Sequence, residues 1–248
     1  MATKRKLSRG GISQRSSGNA KGVRTKRRIV LSAIALFNRH GLPNVAVERI
    51  AMSLKISPGN LTYHFKRKSE LIRATLDELK ERLTVALEQP VGVHSAQDGA
   101  EYIIQLVRAL WDFRFFFNSL AHLLAGDEKL RAEYEAFQEW VMETHVADTE
   151  YLVARGYISS AIKPLDLRLL AECVWGQMLH WLRMQQIVSP DAATPSRYAI
   201  YQIGMRIWCI WQLWLQPDFS REFRLSFEAL RPLHGHRAKR RRQLGDRE

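Results

Sequence analysis

Residues Val47 to Lys68 read VERIAMSLKISPGNLTYHFKRK, and their spacing predicts two short helices joined by a tight turn. Val47, Ile50, Ala51 and Leu54 recur at three- and four-residue intervals, so they share one face of a helix that can be buried. Ser57 followed by Pro58 starts a second helix, because a Ser hydroxyl can accept the free amide protons of a first turn and proline is tolerated at the first helical position. In that second helix Leu61 and Phe65 can point inward, which leaves Gly59, Asn60, Thr62, Tyr63 and His64 largely outward. Small, polar and aromatic groups on the exposed face of a short helix are what contact with base edges and phosphates requires.

On the amino-terminal side, Ile29, Ala33, Leu36 and Phe37, with Ile34 beside them, form an apolar stripe that ends at Gly41. This predicts a first helix starting near Arg24, roughly 16 residues long, with a glycine stop. Its first turns carry Arg24, Lys26, Arg27 and Arg28, which can face a phosphate backbone. Ala46, at the start of the second helix, has no side chain to cap it, and Asn44 is the expected substitute. Met1 to Gly22 is rich in Lys, Arg, Ser and Gly and almost without large apolar residues, so it reads as a flexible basic arm.

On the carboxy-terminal side the spacing predicts a long helix over 68–88, a loop over 90–99, and helices over about 100–124 and 128–155. Two further long helices follow over 165–188 and 196–215, then a short one over 220–230. All seven tryptophans lie beyond Ala100. The architecture is therefore all-α: a three-helix unit over 23–68, joined by a long helix to a larger helical body over 69–231, with the arm over 1–22 and a basic tail over 232–248.

The 248-residue chain has a formal charge of +13. Residues 1–28 hold ten Lys or Arg and no acid, and residues 231–248 hold seven against two, which leaves the body near −2. Strongly basic ends attract polyanions through counterion release, and a solvated solubility tail is the plainer alternative. Cys173 and Cys209, each inside an apolar helical pattern, are expected to be buried reduced thiols of a cytosolic protein. The positive start lacks the apolar run of a secretory signal, and the longest apolar run, Ile207 to Leu215, is interrupted by Gln212 and too short for a bilayer. The expected location is cytoplasmic, with no membrane partner. No nucleophile with its base, paired carboxylates or metal set stands out, so neither catalysis nor a metal or other cofactor is expected.

Phe37 and Gly41 closing the first helix, the Ile50–Ala51 pair, and Tyr63-His64-Phe65-Lys66 followed by Lys68 and Leu71 together resemble the amino-terminal domain of TetR-type transcriptional regulators. The resemblance covers about Arg24 to Leu76. It implies a helix-turn-helix protein that binds a palindromic or near-palindromic double-stranded DNA operator as a homodimer, in the bacterial nucleoid. It also implies a larger domain that binds a small-molecule effector and dimerises, with the expected role of a repressor released by that effector. Gly59, Asn60 and Thr62 fall at base-reading positions; Ser57, Tyr63, His64 and Lys68, with Arg24 and Lys26, fall at phosphate positions. Chemistry agrees, since Asn60 can pair with an adenine edge and the Thr62 methyl can meet a thymine methyl. Ala46 departs from the family, which often has Thr there.

Within the body, polar groups that interrupt aromatic faces suggest an effector pocket around Trp111, Arg114, Phe117, Gln177, His180 and Trp181. The same groups can equally be satisfied within the core. Trp208, Trp211 and Trp214 form a stripe of the core or of a four-helix dimer interface built from 165–188 and 196–215. The competing reading keeps the fold but drops the effector: an architectural or chromosome-organising DNA binder governed by a protein partner.

Overall fold

The computed structural model describes residues 12–87 and 93–232, with the backbone alone at 12–19, Leu87 and Pro164. The expected tail beyond residue 232 and the first residues of the arm lie outside that range. The described residues are helical, in the order α1 (Ile12–His40), a 3-10 turn (Leu42–Asn44), α2 (Val47–Ser53), α3 (Pro58–His64), α4 (Lys68–Leu87), α5 (Ala96–Asp112), α6 (Arg114–Asn118), α7 (Leu120–Gly126), α8 (Glu128–Ala154), α9 (Pro164–Val188), α10 (Arg197–Trp211) and α11 (Pro217–Glu228). The chain divides into two compact units, Met1–Glu78 and Leu79–Glu248, and the division falls inside α4 instead of at Lys68.

In the first unit, Ile29, Ala33, Phe37, Ile50, Ala51, Leu61 and Leu71 are all but inaccessible to solvent. These are the residues whose spacing predicts the helices. Burying each large side chain contributes about 1.5–3 kcal/mol, and this, more than the propensity of two seven-residue helices, holds α2 and α3 in place. Gly41 ends α1 with φ 78°, a backbone that costs glycine little. Between α2 and α3 the left-handed residue is Lys55, φ 55°, and the Ile56 amide reaches back to the Ala51 carbonyl at 3.1 Å to close the turn.

Three expectations change here. α1 begins at Ile12, so the carboxy-terminal half of the predicted flexible arm is helical. No proline interrupts residues 12–28, and extending an existing helix is far easier than starting one. Asn44 does not cap α2: its Nδ2 donates to the His40 carbonyl at 2.9 Å, so it closes the end of α1. Ala46 is the residue at the start of α2 and makes no side-chain cap. Arg27, expected to face phosphates, is bound to Glu78 at 3.2 Å.

In the second unit the predicted helix over 100–124 is three pieces. Phe113, Phe115 and Phe116 are all buried, yet on an ideal helix Phe115 points away from Phe113; the break at Phe113 lets both turn inward, and a second break falls at Ser119. The loop predicted over 90–99 is shorter, because Ser95 caps α5 by accepting from the Asp98 amide. α10 stops at Trp211, and Trp214 and Leu215 leave the helix to pack with Ile158, Ile162 and Leu167. That connection is pinned by Ser159 N–H to the Trp214 carbonyl (2.7 Å) and Gln216 N–H to the Tyr157 carbonyl (2.9 Å), and Pro217 opens α11.

Cys173 and Cys209 are exposed, not buried as expected. Helices α9 and α10 are apolar on more than one face, so an apolar neighbourhood in sequence does not fix which side is the core. On α9, Leu165, Leu169, Met184 and Ile187 also lie on the exposed side. Among the described residues no helix is long and apolar enough to cross a membrane.

Candidate functional site

The first site is the outer face of α3. Ser57 holds its start, accepting from the Asn60 amide at 3.2 Å, and Leu61 anchors its inner side. Gly59, Asn60 and Thr62 are all exposed. A Cβ added at Gly59 would meet nothing within 4 Å. Thr62 donates its hydroxyl to the Pro58 carbonyl at 3.0 Å, which leaves its methyl as the group offered outward. Tyr63 is 83% exposed and meets His64 edge to face at 5.3 Å; it is not packed on α1. Lys21, Gly22 and Thr25 of α1 line an open groove together with Ser57 and with Asn60, Tyr63 and His64 of α3.

The predicted phosphate contacts divide. Arg24 is exposed, and Lys26 is exposed with its ammonium 5.5 Å from the Phe65 ring. Lys68 is tied to the fold: its Nζ donates to the Leu42 carbonyl at 2.7 Å and lies 5.6 Å from the Phe37 ring. Burial lowers its pKa from the ordinary value. Sequence reasoning missed Thr25 and Gly22 as groove walls, since nothing local says that the start of α1 lies beside α3.

The second site is a cavity inside the second unit, with a volume of about 80 Å³. It is walled by Gly99, Tyr102 and Ile103 of α5, by His145, Asp148, Thr149 and Leu152 of α8, by Val174 of α9, by Ile207 and Trp211 of α10, and by Phe219 and Phe223 of α11, with Val93, Ile158 and Leu215 closing it. Tyr102 Oη donates to Asp148 Oδ2 at 2.7 Å. Burial pushes the Asp148 carboxyl up to about 6, against the opposing pull of the Tyr102 hydrogen bond. Burial also drives His145 down to about 4, so its ring is neutral near pH 7, and its Nδ1 is buried with no hydrogen-bond partner.

None of the six residues expected to form the pocket lines this cavity. Trp111 and Trp181 are core, with indole N–H groups donating to the carbonyls of Ala193 (3.2 Å) and Ala199 (3.0 Å). Arg114 is buried and donates to the carbonyls of Trp111 (2.9 Å) and Ala192 (3.3 Å), so it fastens the loop before α10. Phe117 packs on Trp175, Gln177 is half-buried, and His180 is exposed on α9. The signal for the actual cavity was the set His145, Asp148, Thr149 and Leu152, which share one face of α8 and mix titratable with apolar groups.

Two helices packed at a tight turn, the second with an outward polar face, define a helix-turn-helix DNA-binding module on an all-helical chain. Comparison with known proteins gives the family. The profile for bacterial regulatory proteins of the tetR family matches residues 29–75, and that described as bacterial transcriptional repressor matches residues 76–223. The chain belongs to the TetR family of transcriptional regulators, and these are not enzymes.

Among similar proteins, the HTH-type transcriptional repressor SCO4008 of Streptomyces coelicolor is 27% identical over 190 residues, 74% of this chain and 94% of that one. The probable HTH-type transcriptional regulator YttP of Bacillus subtilis is 34% identical over 85 residues, but the match spans only 34% of this chain and 41% of that protein. A TetR-family regulator from Marinobacter aquaeolei has the same fold with a TM-score of 0.71 at 28% identity, covering 84% of this chain and 99% of its own.

Proposed function

We propose that the protein is a repressor that binds a palindromic or near-palindromic operator as a homodimer and leaves it when a small molecule enters the cavity walled by α5, α8, α10 and α11. The observation that carries the first half is the outward face of α3, where Gly59, Asn60 and Thr62 stand exposed on a helix whose other side is locked into the core. Asn60 is suited to pair with an adenine edge, Thr62 to offer its methyl to thymine, and Gly59 to admit the backbone close to the bases. Tyr63, His64, Lys26 and Arg24 serve phosphates. Ser57, which caps α3, and Lys68, which is held by the Leu42 carbonyl, add what donors they have left.

Dimerisation is supported by the exposed apolar side of α9, where Leu165, Leu169, Met184 and Ile187 recur at helical spacing. A two-fold operator needs a two-fold protein. The cavity favours a small-molecule signal over control by a protein partner.

Selection of bound genomic fragments by the purified protein, followed by a gel shift with Asn60→Ala, tests the reading face. The substitution is expected to cost about 1–3 kcal/mol of specific binding. Operator binding by Asn60→Ala as tight as the parent's refutes the assignment. A metabolite screen for raised melting temperature and loss of operator binding tests the effector.

A further inference from the structure

We infer that the cavity takes a hydrophobic molecule bearing one protonated amine, with the ammonium on the Asp148 carboxylate and the apolar body against Trp211, Phe219 and Phe223. This rests on the reading of the cavity as the effector site and specifies its chemistry. Three observations converge.

The first is charge. Asp148 is the one acid among the lining residues, and no Lys or Arg lines the cavity. Tyr102 supplies one hydrogen bond to Oδ2, while a carboxylate can accept about four. No ion pair of Asp148 occurs among the described residues. A ligand ammonium would restore the stabilisation that burial removed from the carboxylate, and would do so where water screens little. A ligand carboxylate or phosphate would meet a like charge with no cation to offset it.

The second is an unpartnered ring nitrogen. His145 lies three residues before Asp148 on α8, lines the same cavity, and has a buried Nδ1 without a partner. A neutral imidazole carries no charge to repel a cation, and its hydrogen-bonding capacity here is unspent.

The third is the wall itself. Trp211, Phe219 and Phe223 provide aromatic surface, with Phe219 and Phe223 nearly parallel at 6.2 Å and 15°. Such faces accept both an apolar body and the positive charge it carries.

The test is isothermal titration calorimetry of the full-length protein, near neutral pH, with three probes of one shape: 1-naphthylmethylamine, 1-naphthylmethanol and 1-naphthoic acid. The amine is expected to bind at least about tenfold more tightly than the alcohol, and the acid more weakly than either. Asp148→Asn should abolish the preference for the amine and leave the alcohol unchanged, with a circular-dichroism melt confirming that the variant folds. Gly99→Val, whose new side chain would grow toward Phe219 and Phe223 from a Cβ already 3.5 Å away, should weaken amine and alcohol alike and so place them in this cavity. Equal binding of amine and alcohol, or an amine preference that survives Asp148→Asn, overturns the inference while the cavity remains a ligand site. If none of the probes binds protein that still shifts its operator, the underlying reading fails as well.

Discussion

Gly204 sits where a methyl group cannot go: a Cβ there would overlap the ring of Phe227, which is fully buried. Gly204→Ala must push α10 and α11 apart or force Phe227 off its rotamer. Overpacking of this kind costs about 1–3 kcal/mol or more, to be read as a lower urea midpoint. Gly59 is the opposite case. With open space around it, Gly59→Ala should stabilise the free protein by about 0.5–1 kcal/mol, so weaker operator binding by this variant isolates the approach of DNA to α3. At this scale the sequence is legible where the interaction is local. The Ser57 cap is determined within four residues and forms as its type and position predict. Lys68 was not legible as a structural residue, because its partner, the Leu42 carbonyl, is 26 residues away. Arg114 was misplaced for the same reason, with one of its carbonyl partners 78 residues away.

Helix α8 carries one buried group, His145, and one half-buried group, Asp148, whose titrations oppose each other. His145 is held down to about 4 from an ordinary 6.5, so its contribution to stability is present above pH 6.5 and is lost as the pH falls toward 4. Asp148 is raised to about 6 from an ordinary 3.8, so its contribution is present below 3.8 and is lost as the pH rises through 6. Each is on the order of 3 kcal/mol, and between pH 4 and 6 they nearly cancel. Asp148→Asn leaves His145 alone, and stability should then fall steadily from pH 6.5 to 4. In His145→Gln, stability should instead rise as the pH is lowered from 6 to 4. Urea midpoints measured across that window check both slopes. At the start of α2, Ala46 has the extended backbone of a capping residue, φ −77° and ψ 156°, without the oxygen. Ala46→Ser should therefore raise stability by about 0.5–2 kcal/mol in a thermal melt. The existence of the long helices was legible from periodicity, and Gly41 and Gly156 stop α1 and α8 as their positions suggest. The breaks at Phe113 and Ser119 were not, because a run of aromatics reads as helix until the demand to bury every ring is known.

For the molecule as a whole, the basic residues before α1's apolar stripe are proposed to lie along the operator, and the groove at Lys21 supports this by bringing a cation beside α3. A protein lacking residues 1–22 should show a shallower dependence of binding on salt, since fewer counterions are released; an unchanged slope removes the arm from the interface. The all-helical class and the helix-turn-helix were legible because both follow from short-range spacing. The cavity was not, since its walls come from residues between Val93 and Phe223, and only the packing of distant helices brings Tyr102 to Asp148.

Trp111 and Trp181 in the core, and Trp211 in the cavity wall, carry an optical consequence. The first unit, ending at Glu78, contains no tryptophan, and all seven belong to the second. Ultraviolet emission excited near the indole band therefore watches only the half that would hold a ligand, and is blind to the half that would hold DNA. Far-ultraviolet dichroism sees the helices of both. Recording the two signals in a single melt would show, without any label, whether the two halves come apart together or one after the other.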